Sequence, residues 1–341
     1  MDAVRIDKFV HTYNEIKVSN VAIPQRKNDE VLVTIFAAGV NFVDLLYRRS
    51  VFPVVPGGKH QNNRSLVLPP FTLGLEFAGV VDSSPPGCSF KPGDHVFGGS
   101  LGSYASRISV KPSVLHHIPS KWSFAEAAGL AATVPVSYGA LIMRGNIRPG
   151  ETVLIHAAAG GLGLMAVQIA KARGCTVIAT AGCGFKLEVA RKYGADHTFN
   201  YKDPVWFKHV LDVTNGNGVD AVFDPVGLVD KSLKCLKQKG RILIVGFAGN
   251  IEQIGTNRVL LKQAVLIGYR FGETERQDPA ETVGIWKGLR EMIDKDLIKP
   301  TVYDKEYTGL ESVPEAMTDL SDRKVWGKAI IKVTHDVKAR M

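Results

Sequence analysis

Cysteine is scarce: only Cys88, Cys175, Cys183 and Cys235 occur in 341 residues, scattered and without a C-x-x-C pair. That excludes a disulfide framework, argues against a structural zinc lobe, and fits a reducing compartment. Long apolar runs are missing too, with nothing near the roughly 20 residues of a membrane-spanning helix. Met1 to Lys8 has no apolar signal core, so cytoplasmic residence is expected. No run of five basic residues occurs, although the net charge is +9. The surplus reads as a solvated basic surface suited to anionic ligands such as phosphates or thioesters, and no nucleic-acid motif accompanies it. Repeats and low-complexity tracts are absent, and the length allows two domains.

What is present is organised around Val153 to Gly163. Thr152 to Ile155 is β-branched or apolar without alternation, as in a parallel strand covered on both faces. A glycine turn follows, Ala158-Ala159-Gly160-Gly161-Leu162-Gly163, in which alanine replaces the first glycine of the usual G-x-G-x-x-G. Leu164 to Arg173 has a helical period, Gly174 is placed to end that helix, and Thr176 to Thr180 reads as the next strand. Strand, glycine turn, helix and strand make a βαβ unit that holds a dinucleotide pyrophosphate on backbone N–H groups. Four more strands are expected at His197 to Asn200, Val219 to Asp224, Arg241 to Gly246 and Ala264 to Tyr269. Helices are expected over Lys186 to Tyr193, Val205 to Thr214 and residues 283–298. Residues 1–36 read as β-rich, with Ile16 to Val18 and Val31 to Ile35 strand-like. Leu73 to Val81 and Gly102 to Val110 continue the β-rich part, Trp122 to Arg144 reads as mostly helical, and Arg323 to Val333 ends in a strand.

Five stretches carry a family resemblance: Ala38 to Asp44 (Ala-Gly-Val-Asn-Phe-Val-Asp), Gly74 to Gly79, Lys91 to Val96, Ala157 to Gly163, and Gly327-Lys328. In these the chain resembles, end to end, the zinc-free medium-chain dehydrogenase/reductases of the NADPH:quinone oxidoreductase (zeta-crystallin-like) group. The resemblance implies an α/β protein with a GroES-like β-rich catalytic domain over 1–130, completed by 275–341. Between its two parts runs a Rossmann doubly wound parallel-sheet domain over 131–274 that binds NADPH. It also implies a homodimer or homotetramer. Zinc enzymes of the superfamily carry Gly-His-Glu where this chain has Gly74-Leu75-Glu76. Leu75 cannot bind metal, and His60, His116 and His117 read as surface or core histidines, so no metal site is expected.

Without a metal, hydride transfer from nicotinamide needs an electron-poor acceptor, such as a quinone or an α,β-unsaturated carbonyl, and a hydrogen-bond donor for the resulting anion. The resemblance implies Asn41 and Tyr47 beside the nicotinamide and substrate, as amide and hydroxyl donors, with Asp44 orienting the loop. It implies cofactor contacts from Ala158, Gly160, Gly161, Leu162, Gly163, Lys186, Tyr201, Gly246, Phe247, Phe271 and Lys328. No carboxylate follows the second strand of the βαβ unit, where an NAD enzyme places one on the ribose 2′-hydroxyl. Lys186 and Tyr201 match the family's 2′-phosphate partners instead, which favours NADPH. Enoyl-thioester reduction, and a non-catalytic crystallin-like protein binding NADPH or RNA, remain as alternatives. The segment Val54 to Leu68 is longer than the family's and reads as a lid or a surface insertion. Ala339-Arg340-Met341 resembles a peroxisomal S-K-L tail, so peroxisomal residence is the alternative address.

Overall fold

A computed structural model describes residues 1–47, 67–249 and 251–335. The side chains of Leu46 and Tyr47, nearly all of the Val54 to Leu68 segment with His60, and the Ala339 to Met341 tail lie outside the described residues. The chain divides into two compact units. One runs from Met1 to Ala132 and resumes at Pro300; the other is Thr133–Lys299.

The first unit opens with β1 (Asp2–Ile6), β2 (Val18–Asn20), β3 (Val31–Gly39) and the short helix α1 (Phe42–Tyr47). It continues with β4 (Phe71–Thr72), β5 (Glu76–Ser83), β6 (His95–Gly99), β7 (Arg107–Val110), β8 (Leu115–His117) and α2 (Phe124–Ala127). The second unit contains α3 (Val134–Tyr138), a π-helical turn at Gly139–Arg144, β9 (Thr152–Ile155), α4 (Gly161–Ala172), β10 (Thr176–Ala181) and α5 (Gly184–Lys192). Then come β11 (His197–Asn200), α6 (Trp206–Val213), β12 (Val219–Asp224), α7 (Val229–Ser232), β13 (Leu236–Ile244), α8 (Thr256–Lys262), β14 (Val265–Gly268), α9 (Phe271–Gln277) and α10 (Pro279–Asp294). The first unit closes with β15 (Tyr307–Thr308), α11 (Val313–Ser321) and β16 (Ile330–Lys332).

In the second unit six parallel strands lie in the order β11-β10-β9-β12-β13-β14. This is the Rossmann order, and its reversal falls between β9 and β12, where such sheets open a ligand crevice at their carboxyl ends. Val153, Leu154 and Ile155 are wholly buried, as their unalternating pattern requires. α4 buries Gly163 through Ala170, so it lies flat on the sheet rather than at its margin.

In the first unit a seven-stranded sheet has the path β15-β16-β3-β5-β6-β8, with β7 also on β3, and all pairings but β15–β16 are antiparallel. β3 is its centre. It carries Val31, Val33, Ile35 and Ala38 into a core shared with Phe77, Val96, Tyr104 and Ile331. The end of β3 therefore delivers Gly39, Val40 and Asn41 to a rigid edge, beside β16 and β5.

Trp122 to Arg144 is mostly helical, in three pieces: α2, α3 and the π turn. A Cβ on Gly139 would stand 1.9 Å from the Tyr269 hydroxyl, so only glycine fits there. One expectation is corrected: residues 275–299 fall in the compact unit Thr133–Lys299, not with the unit that resumes at Pro300. α10 buries Ile285, Leu289 and Ile293, presents Gly288 to Tyr138 of α3, and Lys299 N–H bonds Gln168 Oε1 of α4 at 2.7 Å.

Candidate active site

The turn after β9 is built to bring backbone close to a ligand. Ala157 is left-handed at φ 46°, and Gly163 packs so tightly that a Cβ would stand 2.3 Å from Ala157 O. Ala158 is fully buried and its N–H bonds Thr180 O at 3.0 Å, while Gly160 N–H bonds Ala157 O at 2.9 Å. Those two residues therefore shape the turn with their N–H groups already engaged. The amides of Gly161, Leu162 and Gly163 open α4 and have no acceptor within the helix. α4 is 12 residues long with no acidic residue in its first turn, so its positive end faces the crevice uncompensated. Ser137 Oγ donates to Leu162 O at 2.9 Å and steadies that turn.

Beneath the turn sits His156, which sequence reading passed over. Its Nδ1 lies 2.8 Å from Thr180 Oγ1 and its Nε2 2.8 Å from Ser232 Oγ. Ser232 gives its own proton to Leu228 O at 2.7 Å, so the His156 proton sits on Nε2 and Nδ1 accepts from Thr180. Burial pushes the imidazole down to about 4, with Asp224 opposing. A neutral histidine thus ties β9 to β10 and α7. Asp224, also buried, ends β12 by accepting the N–H groups of Val226, Gly227 and Leu228 at 2.8, 2.8 and 2.6 Å. Both devices harden the carboxyl edge of the sheet.

β10 ends at Ala181, and Gly182 follows. The Tyr201 hydroxyl lies 2.5 Å from where a Cβ on Gly182 would stand, so the two meet although the sequence separates them. Lys186 is in the first turn of α5, which has no acidic residue there. Gly246 and Phe247 follow β13 at the same edge. Gly246 is pressed to Pro225 O, 2.9 Å from its Cβ position, and Phe247 is exposed. Phe271 opens α9 and is buried. Cofactor residues read from sequence in this unit therefore gather at the carboxyl ends of the strands.

Lys328, also read from sequence as a cofactor contact, lies in the first unit. It is buried, and its three ammonium protons have acceptors there: Glu76 Oε1 at 2.5 Å, Asn41 Oδ1 at 2.7 Å and Val40 O at 3.0 Å. Asn41 is 8% exposed. Its amide gives one N–H to Glu76 Oε1 at 2.9 Å and the other to Gly39 O at 3.3 Å. The first bond is good and the second is at the limit, so the second N–H is the one an incoming oxygen can take. Glu76 Oε2 accepts the Ala132 N–H at 2.8 Å.

Asp44 orients the loop as expected. Its Oδ2 accepts the Asn41 backbone N–H at 2.8 Å and the Tyr104 hydroxyl at 2.7 Å. Burial and the adjoining Asp44 hold the Tyr104 phenol far above its usual range, so it donates as a neutral group. Tyr47 closes α1, and its side chain is outside the described residues. Glu76, Tyr104 and the Lys328 contact escaped sequence reading. The available signal was a charged residue embedded in an apolar stretch, Glu76 before Phe77-Ala78 and Lys328 before Ala329-Ile330, a pattern that asks for a buried partner. His116 and His117 of β8 meet the rings of Phe97 and Phe90 in tilted contacts, at centroid distances of 5.2 and 4.8 Å.

The family model for the alcohol dehydrogenase GroES-like domain matches residues 27–120, and that for zinc-binding dehydrogenase matches residues 161–285. The chain is similar to the quinone oxidoreductase-like protein 2 homolog of Nematostella vectensis, 34% identical over 316 residues, covering 89% of this chain and 81% of that one. It is similar to the quinone oxidoreductase of Homo sapiens, 30% identical over 322 residues, covering 93% and 92%. Among solved structures it superposes on the Escherichia coli quinone oxidoreductase complexed with NADPH, with a TM-score of 0.84, 26% identity, and coverage of 97% of this chain and 100% of that one.

Proposed function

Because the chain belongs to the zinc-free medium-chain dehydrogenase/reductases of the quinone oxidoreductase group, we propose that it reduces quinones or α,β-unsaturated carbonyls with NADPH. The observation that carries the cofactor choice is the end of β10. Gly182 stands there under the Tyr201 hydroxyl, with Lys186 one turn on and no carboxylate in the first turn of α5. A 2′-phosphate would meet a cation and a hydroxyl there, with no carboxylate in the first turn of α5. The unpaired amides of Gly161, Leu162 and Gly163 suit the pyrophosphate. Gly246, Phe247 and Phe271 complete the cofactor set of this reading.

When bound, NADPH supplies the hydride. The chain's own residues hold the acceptor and the charge that develops on it. Asn41 donates its weakly held N–H to the nascent oxyanion, and the Tyr47 hydroxyl is the second donor of the reading. Leu75 leaves no ligand at the position where zinc relatives carry histidine, so polarisation falls to these donors. A homodimer or homotetramer is part of the same reading, to be checked by sedimentation.

The test of the cofactor choice is Lys186→Ala. A hydrogen bond to a charged group is worth roughly 1.5–3 kcal/mol, so NADPH affinity should fall about ten- to a hundredfold. NADH affinity should stay near that of the wild type. Titration of both cofactors into both proteins reads this, and equal losses would contradict the assignment.

A further inference from the structure

Asn41, Glu76 and Lys328 come from the end of β3, the start of β5 and the approach to β16. The fold brings them together out of water, with Glu76 at 0% and Lys328 at 4% exposure. Two ionised groups withdrawn from solvent at such a spot rarely stabilise a fold better than a well-packed apolar pair. Stability alone therefore does not account for them. Their arrangement does something an apolar pair cannot: it distinguishes the two ends of the Asn41 amide.

The ammonium of Lys328 lies 2.7 Å from Oδ1, and the Glu76 carboxylate accepts from Nδ2 at 2.9 Å. Turned by half a rotation, the amide would set its NH2 against an ammonium, donor to donor. It would set its oxygen against a carboxylate, acceptor to acceptor. Both contacts would be lost and both would turn repulsive. The remaining N–H, held only by the 3.3 Å bond to Gly39 O, is thereby aimed in one direction. The cation on Oδ1 also draws electron density from the amide and makes that N–H a stronger donor.

We propose that Lys328 and Glu76 are positioning residues for the reduction, a buried ion pair that fixes the rotation of the Asn41 amide and so keeps an N–H on the developing oxyanion. This rests on the reading of Asn41 as the oxyanion donor, and the experiment separates the two.

Lys328→Met alone leaves Glu76 charged and unpaired, so the test uses the neutral pair Lys328→Met with Glu76→Gln, Asn41→Ala, and all three changes together. Quinone turnover, KM, NADPH affinity and Tm are measured for each. The neutral pair should lower kcat on the order of ten- to a hundredfold, the range for a lost or misaligned oxyanion donor. KM and NADPH affinity should be nearly unchanged. The triple variant should be no slower than Asn41→Ala, because groups that act through one another are not additive. If Asn41→Ala keeps wild-type turnover, the donor reading fails and the inference with it. If Asn41→Ala is slow but the pair's loss multiplies on top, or falls on KM, the inference alone fails. NMR of the wild type reads the same point without the pair variants. The Asn41 side-chain amide, assigned by its absence from Asn41→Ala, should show one N–H slow and one fast in exchange with solvent. Two fast N–H groups would overturn the fixed rotation.

Discussion

Asp44 holds the loop that carries Asn41 with one buried carboxyl. Its Oδ2 takes two donors, Asn41 N–H and the Tyr104 hydroxyl, while its Oδ1 is buried without a hydrogen-bond partner. Burial raises the group from 3.8 to about 7. Glu76 adds to the rise, and the Tyr104 and Asn41 bonds and the Lys328 charge oppose it. Unfolded, the group ionises near its ordinary value; folded, it holds the proton to about neutrality. Its contribution to stability is therefore fully present below about pH 4 and is lost as pH rises to about 7. Asp44→Asn removes that titration. In urea unfolding at stepped pH, the wild type should lose stability relative to the variant between those limits and run parallel above them. A constant difference across the range would contradict the buried, protonated carboxyl. At this scale the sequence made Asn41 and the loop-holding Asp44 legible, because both sit in one motif. Glu76 and Lys328 lie far apart in the chain, so only the folded sheet makes them neighbours.

The element that carries the cofactor reading is the passage from β9 into α4, and it was legible for a physical reason. An unalternating apolar strand, a glycine turn and a helix of mostly apolar residues bury one another when the helix lies on the face of the sheet. Gly163 is its tightest point. A methyl group there would stand 2.3 Å from Ala157 O and 2.6 Å from Ala158 Cα, both backbone. Gly163→Ala must therefore lift α4 off the turn. The expected cost is about 1–3 kcal/mol in urea unfolding, with weaker binding of NADPH and NADH alike. Wild-type stability together with wild-type affinity would contradict the close packing. Less legible were the elements set by tertiary contact. β1 is only five residues long and is the middle strand of a three-stranded sheet, between β2 and β4. Tyr269 packs on Gly139 at the π turn, and α10, legible as a helix, joins the dinucleotide unit because its apolar face and Gly288 meet α3. Those partners lie far off in the chain.

Across the whole molecule, one unit supplies a dinucleotide turn and the other a buried donor network, with no helix among the described residues long and apolar enough to cross a membrane. The matched family model is named for zinc, yet Leu75 offers no ligand, and no group of three metal-binding side chains occurs among the described residues. Dialysis against a strong chelator should leave turnover unchanged; a loss reversed by added zinc would contradict metal-free chemistry. The net charge of +9 also predicts that NADPH association slows as salt is raised, since long-range attraction of a polyanion is screened. The most direct measurement is NADPH oxidation by the purified protein, with a quinone, a simple enone and an enoyl-CoA offered separately, and NADH in parallel. Turnover of the quinone or the enone is expected, faster with NADPH than with NADH at equal low concentration. Turnover confined to enoyl-CoA, or no oxidation with any acceptor despite tight NADPH binding, would contradict the proposed function.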